Sequence, residues 1–232
     1  MTRGILIAGN ESSMSAAIAT EAVKRVESLA SALIPNRLPL PEGGAVPPPK
    51  PETAGGTIPL SWNPASPISA RTLVLAAESR LHQINDAIVV CSPPAVFRTA
   101  ETLAPEEIEI LVNDHIKGWF FLIRELALYF RRIGTGTLSL VAPEIVSDGG
   151  RDAAGINAPA DLMGPSAAAS FRAFAQGVLA SSANEPFQMM GFTTTEAGAE
   201  SDFAAWLFKI LDEGAVKNSG RWHKYSKMKF FR

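Results

Sequence analysis

The chain has 232 residues, a formal net charge of −2, 47 % hydrophobic and 19 % charged residues, enough to bury a full core without covalent staples. Its one cysteine, Cys91, excludes an internal disulfide framework and a cysteine-based zinc site, and the near-neutral balance gives no global pull toward nucleic acid or acidic membrane. No apolar run approaches the ~20 residues of a membrane span, and the first residues lack the length and cleavage pattern of a signal peptide, so a cytoplasmic chain with no metal is expected.

Ile5 to Ala8 is a short apolar run stopped by Gly9. A helical pattern follows, with Met14, Ala17, Ile18, Ala22 and Val26 on one face and Ser12 or Ser13 as N-cap. A second strand is expected over Ala30 to Ile34. Ten of the 17 prolines then fall between Pro35 and Pro67. Proline locks φ and lacks an amide donor, so positions 35–67 read as an extended insertion that ends in a short strand over Thr57 to Trp62. Ser69 to His82 has helical spacing. Asp86 to Cys91 is a continuous apolar run, as in a strand covered on both faces. Pro105 opens a long helical region to Arg132, with Ile108, Leu111, Val112, Ile116 and Phe120 on one side. Thr137 to Ala142 is a strand, Gly149 to Gly164 a polar loop, Pro165 to Ser182 an alanine-rich helix, Phe187 to Phe192 a strand and Asp202 to Asp212 a helix. Strands alternating with helices predict an α/β fold: a single Rossmann-type domain over 1–232, its parallel sheet doubly wound with helices on both faces. Positions 217–232 form a basic, aromatic tail.

The order of elements and four local strings resemble the short-chain dehydrogenase/reductase family from Gly4 to about Thr195. Ile5–Gly9 with Asn10–Ala19 resembles the opening strand and glycine-rich turn. Asp86–Pro93 resembles the D-x-L-V-N-N-A-G strand. Asp114–Trp119 resembles V-N-L-x-G-x in the long helix, and Gly136–Pro143 resembles the strand that ends in the catalytic serine. Carried over one by one, the family's catalytic positions fall on other residues. The helix asparagine falls at His115, the serine at Ala142 or Pro143, the tyrosine near Gly164 and the lysine near Ala168. The last two do not depend on register: the only tyrosines are Tyr129 and Tyr225, and no lysine lies between Lys117 and Lys209. Proton transfer by a placed group contributes ~10²–10⁴-fold, so losing donor, tuner and orienting serine together removes that chemistry.

The resemblance implies NAD(P), with binding weakened. Gly9 holds the first glycine of the turn, but the second falls at Ser13 and the third at Ser15, where hydroxymethyl groups crowd the pyrophosphate approach and the helix–strand contact. Ser12, Ser13, Met14 and Ser15 still sit at a helix N-terminus able to meet phosphate; the alternative is capping and packing. Arg37, after the second strand, either meets a 2′-phosphate or is a solvated loop arginine, the reading we favour. Cys91 and Ser92 lie at the end of a central strand near the expected crevice, with Cys91 read foremost as a small buried hydrophobe. Pro93 and Pro94 replace a flexible stretch bordering the cofactor. His115 is either a titrating group or, the favoured reading, a buried histidine satisfied by a backbone carbonyl. Glu144, Asp148 and Asp152 are replacement acids or, more simply, loop carboxylates.

The expected function is therefore a short-chain-dehydrogenase-like protein without standard oxidoreductase activity, in a regulatory, sensing or assembly role. The alternative is a divergent NAD(P)H-dependent oxidoreductase that uses His115 and Glu144. The resemblance implies dimers or tetramers through two long helices, and the apolar faces around Trp119–Phe130 and Ala167–Leu179 predict at least a homodimer, so a homodimer or homotetramer is expected. The tail suits a strand that docks its aromatics on a partner subunit or another protein, rather than nucleic acid. Pro47–Pro51 reads as part of the insertion more than as a ligand for a proline-binding groove.

Overall fold

The computed structural model describes residues 3–25, 28–35, 37, 56–94, 96, 98–144, 161–213 and 219–227. Most of the proline-rich insertion, Asp148, Asp152 and the end of the basic tail lie outside them. Seven strands form one parallel sheet in the order β3-β2-β1-β4-β5-β6-β7. They are β1 (Gly4–Asn10), β2 (Ser28–Ile34), β3 (Thr57–Pro59), β4 (Asp86–Val90), β5 (Thr137–Val141), β6 (Gln188–Thr194) and β7 (Arg221–Tyr225). The helices are α1 (Ser13–Val23), α2 (Pro67–Leu81), α3 (Pro105–Val112), α4 (Gly118–Ile133), α5 (Gly164–Ala180) and α6 (Glu200–Asp212). The expected doubly wound α/β sheet is what forms.

The pleat explains the two layers. In β1, Leu6 and Ala8 join α2, α4 and α5 residues such as Leu73, Trp119 and Phe171 in one core. Ile5 and Ile7 point the other way, to Ile18 of α1 and Phe203 and Leu207 of α6. Strands buried at every position, as β1, β4 and β5 are, need apolar side chains on both faces, hence their predominantly apolar sequences. Gly9 is the narrowest point between β1 and β4. A Cβ there would stand 2.3 Å from the Val90 carbonyl oxygen and 2.9 Å from the Val90 Cβ.

Two expectations are corrected. The long helical region is not one α-helix: Asn113–Lys117 forms a turn of π-helix between α3 and α4. The extra residue in that turn rotates the face. Ile108, Val112 and Phe120, expected on one side with Leu111, are 42 %, 41 % and 36 % exposed, while Leu111, Trp119, Leu122 and Leu126 are buried. Together with Leu128, 42 % exposed, they make an outward apolar stripe along α3 and α4. Phe120 stacks on Phe174 of α5 at 4.1 Å between centroids. A groove of about 260 Å³ lined by Ile123, Leu128, Phe174, Val178 and Met189 lies beside it.

The tail is the second correction. Its described part adds β7 to the chain's own sheet, in register with β6 from Met190–Arg221 to Thr194–Tyr225. Alternation sends Trp222 to the α5 side, against Gly191, and Tyr225 to Phe203 and Trp206 of α6. Trp222 and Tyr225 are thus used within the subunit.

His82, which ends α2, is the non-glycine residue with positive φ among those described, at 64° with ψ −37°. A Cβ is strained there. His82→Gly is expected to stabilise by up to ~1 kcal/mol, read as a raised urea midpoint with unchanged slope.

Candidate functional site

The chain leaves β1 toward β2 and β3 on one side and returns to β4 on the other, so β1 and β4 flank the switch point. In open α/β sheets the ligand crevice lies outside the carboxyl ends of the strands there. The residues brought to it are Asn10 at the end of β1, the Ser12–Ser15 turn, Arg37 beyond β2, Ser92 beyond β4, and Asp114 and His115 in the π turn.

The turn is closed by serines. Ser12 caps α1, its Oγ accepting the Ser15 amide at 3.1 Å. The Ser15 Oγ donates to the Asn10 carbonyl at 2.8 Å and accepts the Ser12 amide at 2.9 Å. Ser15, completely buried, therefore fits where the resemblance calls for glycine because its hydroxyl replaces bonds the turn would otherwise lack. Met14 belongs to the α1–α6 core. Ser13 is exposed and donates to the Glu200 carboxylate at 3.3 Å, which places a negative charge beside the helix N-terminus a phosphate would use. The amides of Ser12 and Ser15 are engaged inside the turn.

Asn10 is 3 % exposed. Its Oδ1 accepts the Ser92 amide at 3.0 Å and its Nδ2 lies 2.8 Å from His115 Nδ1. The side chain thus spans the crevice from β4 to the π turn. His115 is satisfied by this amide, not by a backbone carbonyl as expected. Burial foremost, with Arg37 nearby, pulls its pKa down to about 4 against the pull of Asp114.

Arg37 is solvent-exposed, as expected of a loop arginine, but it is paired and not free to meet a phosphate. It forms a bidentate pair with Asp114, Nε to Oδ2 at 2.9 Å and Nη2 to Oδ2 at 2.6 Å. The Arg37 side chain is 50 % exposed and that of Asp114 1 %. The asymmetry sets a prediction. Arg37→Gln leaves a buried carboxylate without its cation and should cost ~2 kcal/mol; Asp114→Asn returns a half-exposed guanidinium to water and should cost less than half of that. Urea unfolding at neutral pH compares the two.

The remaining positions are structural. Cys91 is 1 % exposed in the α2–α4–α5 core, and burial pushes its thiol far above the ordinary range, so it offers no nucleophile. Ala142 pairs with β6, its amide donating to Phe192 at 2.9 Å and its carbonyl accepting from Thr193 Oγ1 at 2.9 Å. Pro143 follows it, half-buried. Glu144 is held by an ion pair with Arg172 of α5. Ala168 is half-buried one turn into α5.

At Gly164 a Cβ would meet the Asp161 carboxylate at 2.5 Å and the Pro94 carbonyl oxygen at 3.2 Å. Asp161, which the sequence did not single out, has one oxygen accepting the amides of Val96 (3.1 Å), Met163 (3.2 Å) and Gly164 (3.0 Å). It binds the segment after β4 to the start of α5. Val96, Leu111, Met163 and Ala167 form a small apolar core there. The only signal for Asp161 was an Asx residue just ahead of Gly164-Pro165, a helix-start pattern. For Asn10, not singled out either, the signal was a polar residue ending an otherwise apolar strand. Among the described residues no group of three or more His, Cys, Asp or Glu side chains is placed to hold a metal, and no helix is long and apolar enough to cross a membrane.

The sequence matches no family model and no curated protein. The structure, by contrast, superposes along nearly its whole length on solved oxidoreductases. A short-chain dehydrogenase from Bacillus anthracis is similar with a TM-score of 0.69 at 12 % identity, over 99 % of this chain and 97 % of that one. The chain has the short-chain dehydrogenase/reductase fold. An NADH-dependent reductase complexed with NAD has a TM-score of 0.68 at 12 % identity, over 100 % and 98 %. A short-chain dehydrogenase/reductase from Serratia marcescens has a TM-score of 0.66 at 12 % identity, over 96 % of each chain.

Proposed function

We propose that this chain is a short-chain-dehydrogenase-like protein without standard oxidoreductase activity, serving a regulatory, sensing or assembly role in the cytoplasm. The observation that carries the reading is at the start of α5. From Gly164 to Ala180 the helix has neither tyrosine nor lysine, and the space at Gly164 is taken by Asp161 and Pro94. The engaged amides of the Ser12–Ser15 turn and the Glu200 carboxylate beside it support weakened NAD(P) binding at Gly9, Ser12, Ser13 and Ser15. The alternative, a divergent NAD(P)H-dependent oxidoreductase, needs His115 and Glu144 as acid and base. Both are committed elsewhere, His115 to Asn10 and Glu144 to Arg172. The test is oxidation of NADH and NADPH by the purified chain over a broad panel of aldehydes and ketones. No carbonyl-dependent oxidation is expected, and measurable turnover with any of them overturns the reading.

For assembly we propose a homodimer through the apolar stripe of α4 and the facing side of α5. The stacked Phe120 and Phe174 and the adjoining groove support it, since patches of this kind mark contact surfaces. Light scattering at micromolar concentration should give twice the chain mass, and Phe120→Glu should return a monomer. A monomeric wild type sinks this proposal.

A further inference from the structure

The crevice at the switch point is spanned by a hydrogen-bond chain whose polarity is forced. An asparagine side chain has one accepting end and one donating end. The Ser92 amide can only donate, so Asn10 turns its Oδ1 to β4. Its Nδ2 therefore faces His115, whose Nδ1 must present a lone pair. The imidazole is neutral, with its proton on Nε2. A proton on Nδ1 sets donor against donor. Turning the Asn10 amide over relieves that contact only by setting Nδ2 against the Ser92 amide. Either way one of the two bonds across the crevice is lost.

We propose that Asn10, Ser92 and His115 form a proton-operated clasp, closed across the β1–β4 crevice while His115 is neutral and released when one proton enters at Nδ1. The proposal does not depend on whether the chain binds NAD(P)H or turns over a carbonyl. The charged groups around the clasp set its threshold. Asp114 and Lys117 lie on the same turn as His115, and Arg37 reaches Asp114 from the β2 side. Exposed Glu11 follows Asn10, the Cys91 thiol beneath Ser92 stays protonated, and α5 has no titratable side chain before Arg172. Burial and Arg37 hold the proton off, and Asp114 attracts it. Arg37 is thus the tuning residue: it neutralises Asp114, and its removal lets His115 charge at higher pH.

The test is heteronuclear NMR of the His115 ring nitrogens in the full chain from about pH 4 to about pH 8, with amide exchange of Ser92 and of Ile88 at the centre of β4. At neutral pH the Nε2–H form is expected. As the ring charges, the protection of the Ser92 amide relative to its intrinsic exchange rate should fall about tenfold or more while that of Ile88 is unchanged. Arg37→Gln should move both the ring titration and the Ser92 change to higher pH together, which keeps the transition readable clear of acid unfolding. In His115→Asn the Ser92 protection should show no such step. An Nδ1–H tautomer at neutral pH overturns the clasp. So does a ring that titrates near the ordinary histidine value in the wild type, a Ser92 amide indifferent to the ring, or Ile88 opening in step with Ser92.

Discussion

Gly9→Ala is expected to be strongly destabilising. The new Cβ would stand 2.3 Å from the Val90 carbonyl oxygen and 3.0 Å from the Val90 amide nitrogen, with φ at 158°. What it strikes is backbone of the neighbouring strand, not the end of a flexible side chain. Both strands are buried at every position, so the sheet can relieve the contact only by parting β1 from β4. A loss above ~3 kcal/mol is expected, a fall in melting temperature of roughly 6–12 °C for a chain of this size. Gly134→Ala is the control. Gly134 has φ 74° but open space around its Cβ, so that variant meets only the left-handed backbone penalty of ~1–2 kcal/mol. Equal losses at the two positions would show that conformational freedom, and not the approach of β4, is what Gly9 provides. The first glycine of a turn associated with dinucleotides is thereby kept by packing, whatever the turn binds.

The second large effect is on acid stability. His115 titrates at about 4 in the folded chain against an ordinary value of 6.5. Between those values the unfolded chain binds more protons, so stability rises with pH through that window. The contribution of the neutral ring is complete above the ordinary value and is lost as pH falls toward 4. A displacement of this size corresponds to ~3 kcal/mol. His115→Asn, which cannot charge, should be the less stable protein at neutral pH yet lose less on acidification, so that the two urea-stability curves converge between pH 6.5 and 4. Parallel curves through that window would mean that His115 titrates alike folded and unfolded.

The fold was legible because its signals are periodic. The apolar run after Asp86 and the short, mostly apolar stretch Thr137–Val141 fit strands buried on both faces, and the alternation of strands with amphipathic helices leaves a parallel sheet as the economical arrangement. The π turn was not legible. One extra residue in Asn113–Lys117 rotates α4 relative to α3, and the spacing of apolar residues alone did not say that Leu111 turns inward while Ile108 and Phe120 turn outward. The losses at the α5 start were legible by exclusion, since tyrosine and lysine are too scarce to fall there in any register. The crevice itself was legible in part: Arg37, Ser92 and His115 stood out, but Asp114 and Asn10 did not, because they matter through Arg37 and His115, 77 and 105 residues away. No local pattern encodes a contact at that separation. Asp161 is hidden for the same reason: its value lies in an amide 65 residues earlier.

The sheet order has a consequence for how fast the chain finds this structure. Every strand pairing is parallel, so none is a hairpin, and the central one joins Ile5 to Asp86. Topologies dominated by such distant pairings lose loop entropy before any contact compensates it, and they fold slowly, with unpaired strand edges exposed meanwhile. β1 and β2 can join through α1 early, but β1 offers its second edge until β4 arrives. An edge left open in this way is one another chain can pair with, and the missing side chain of Gly9 is what lets Val90 close it.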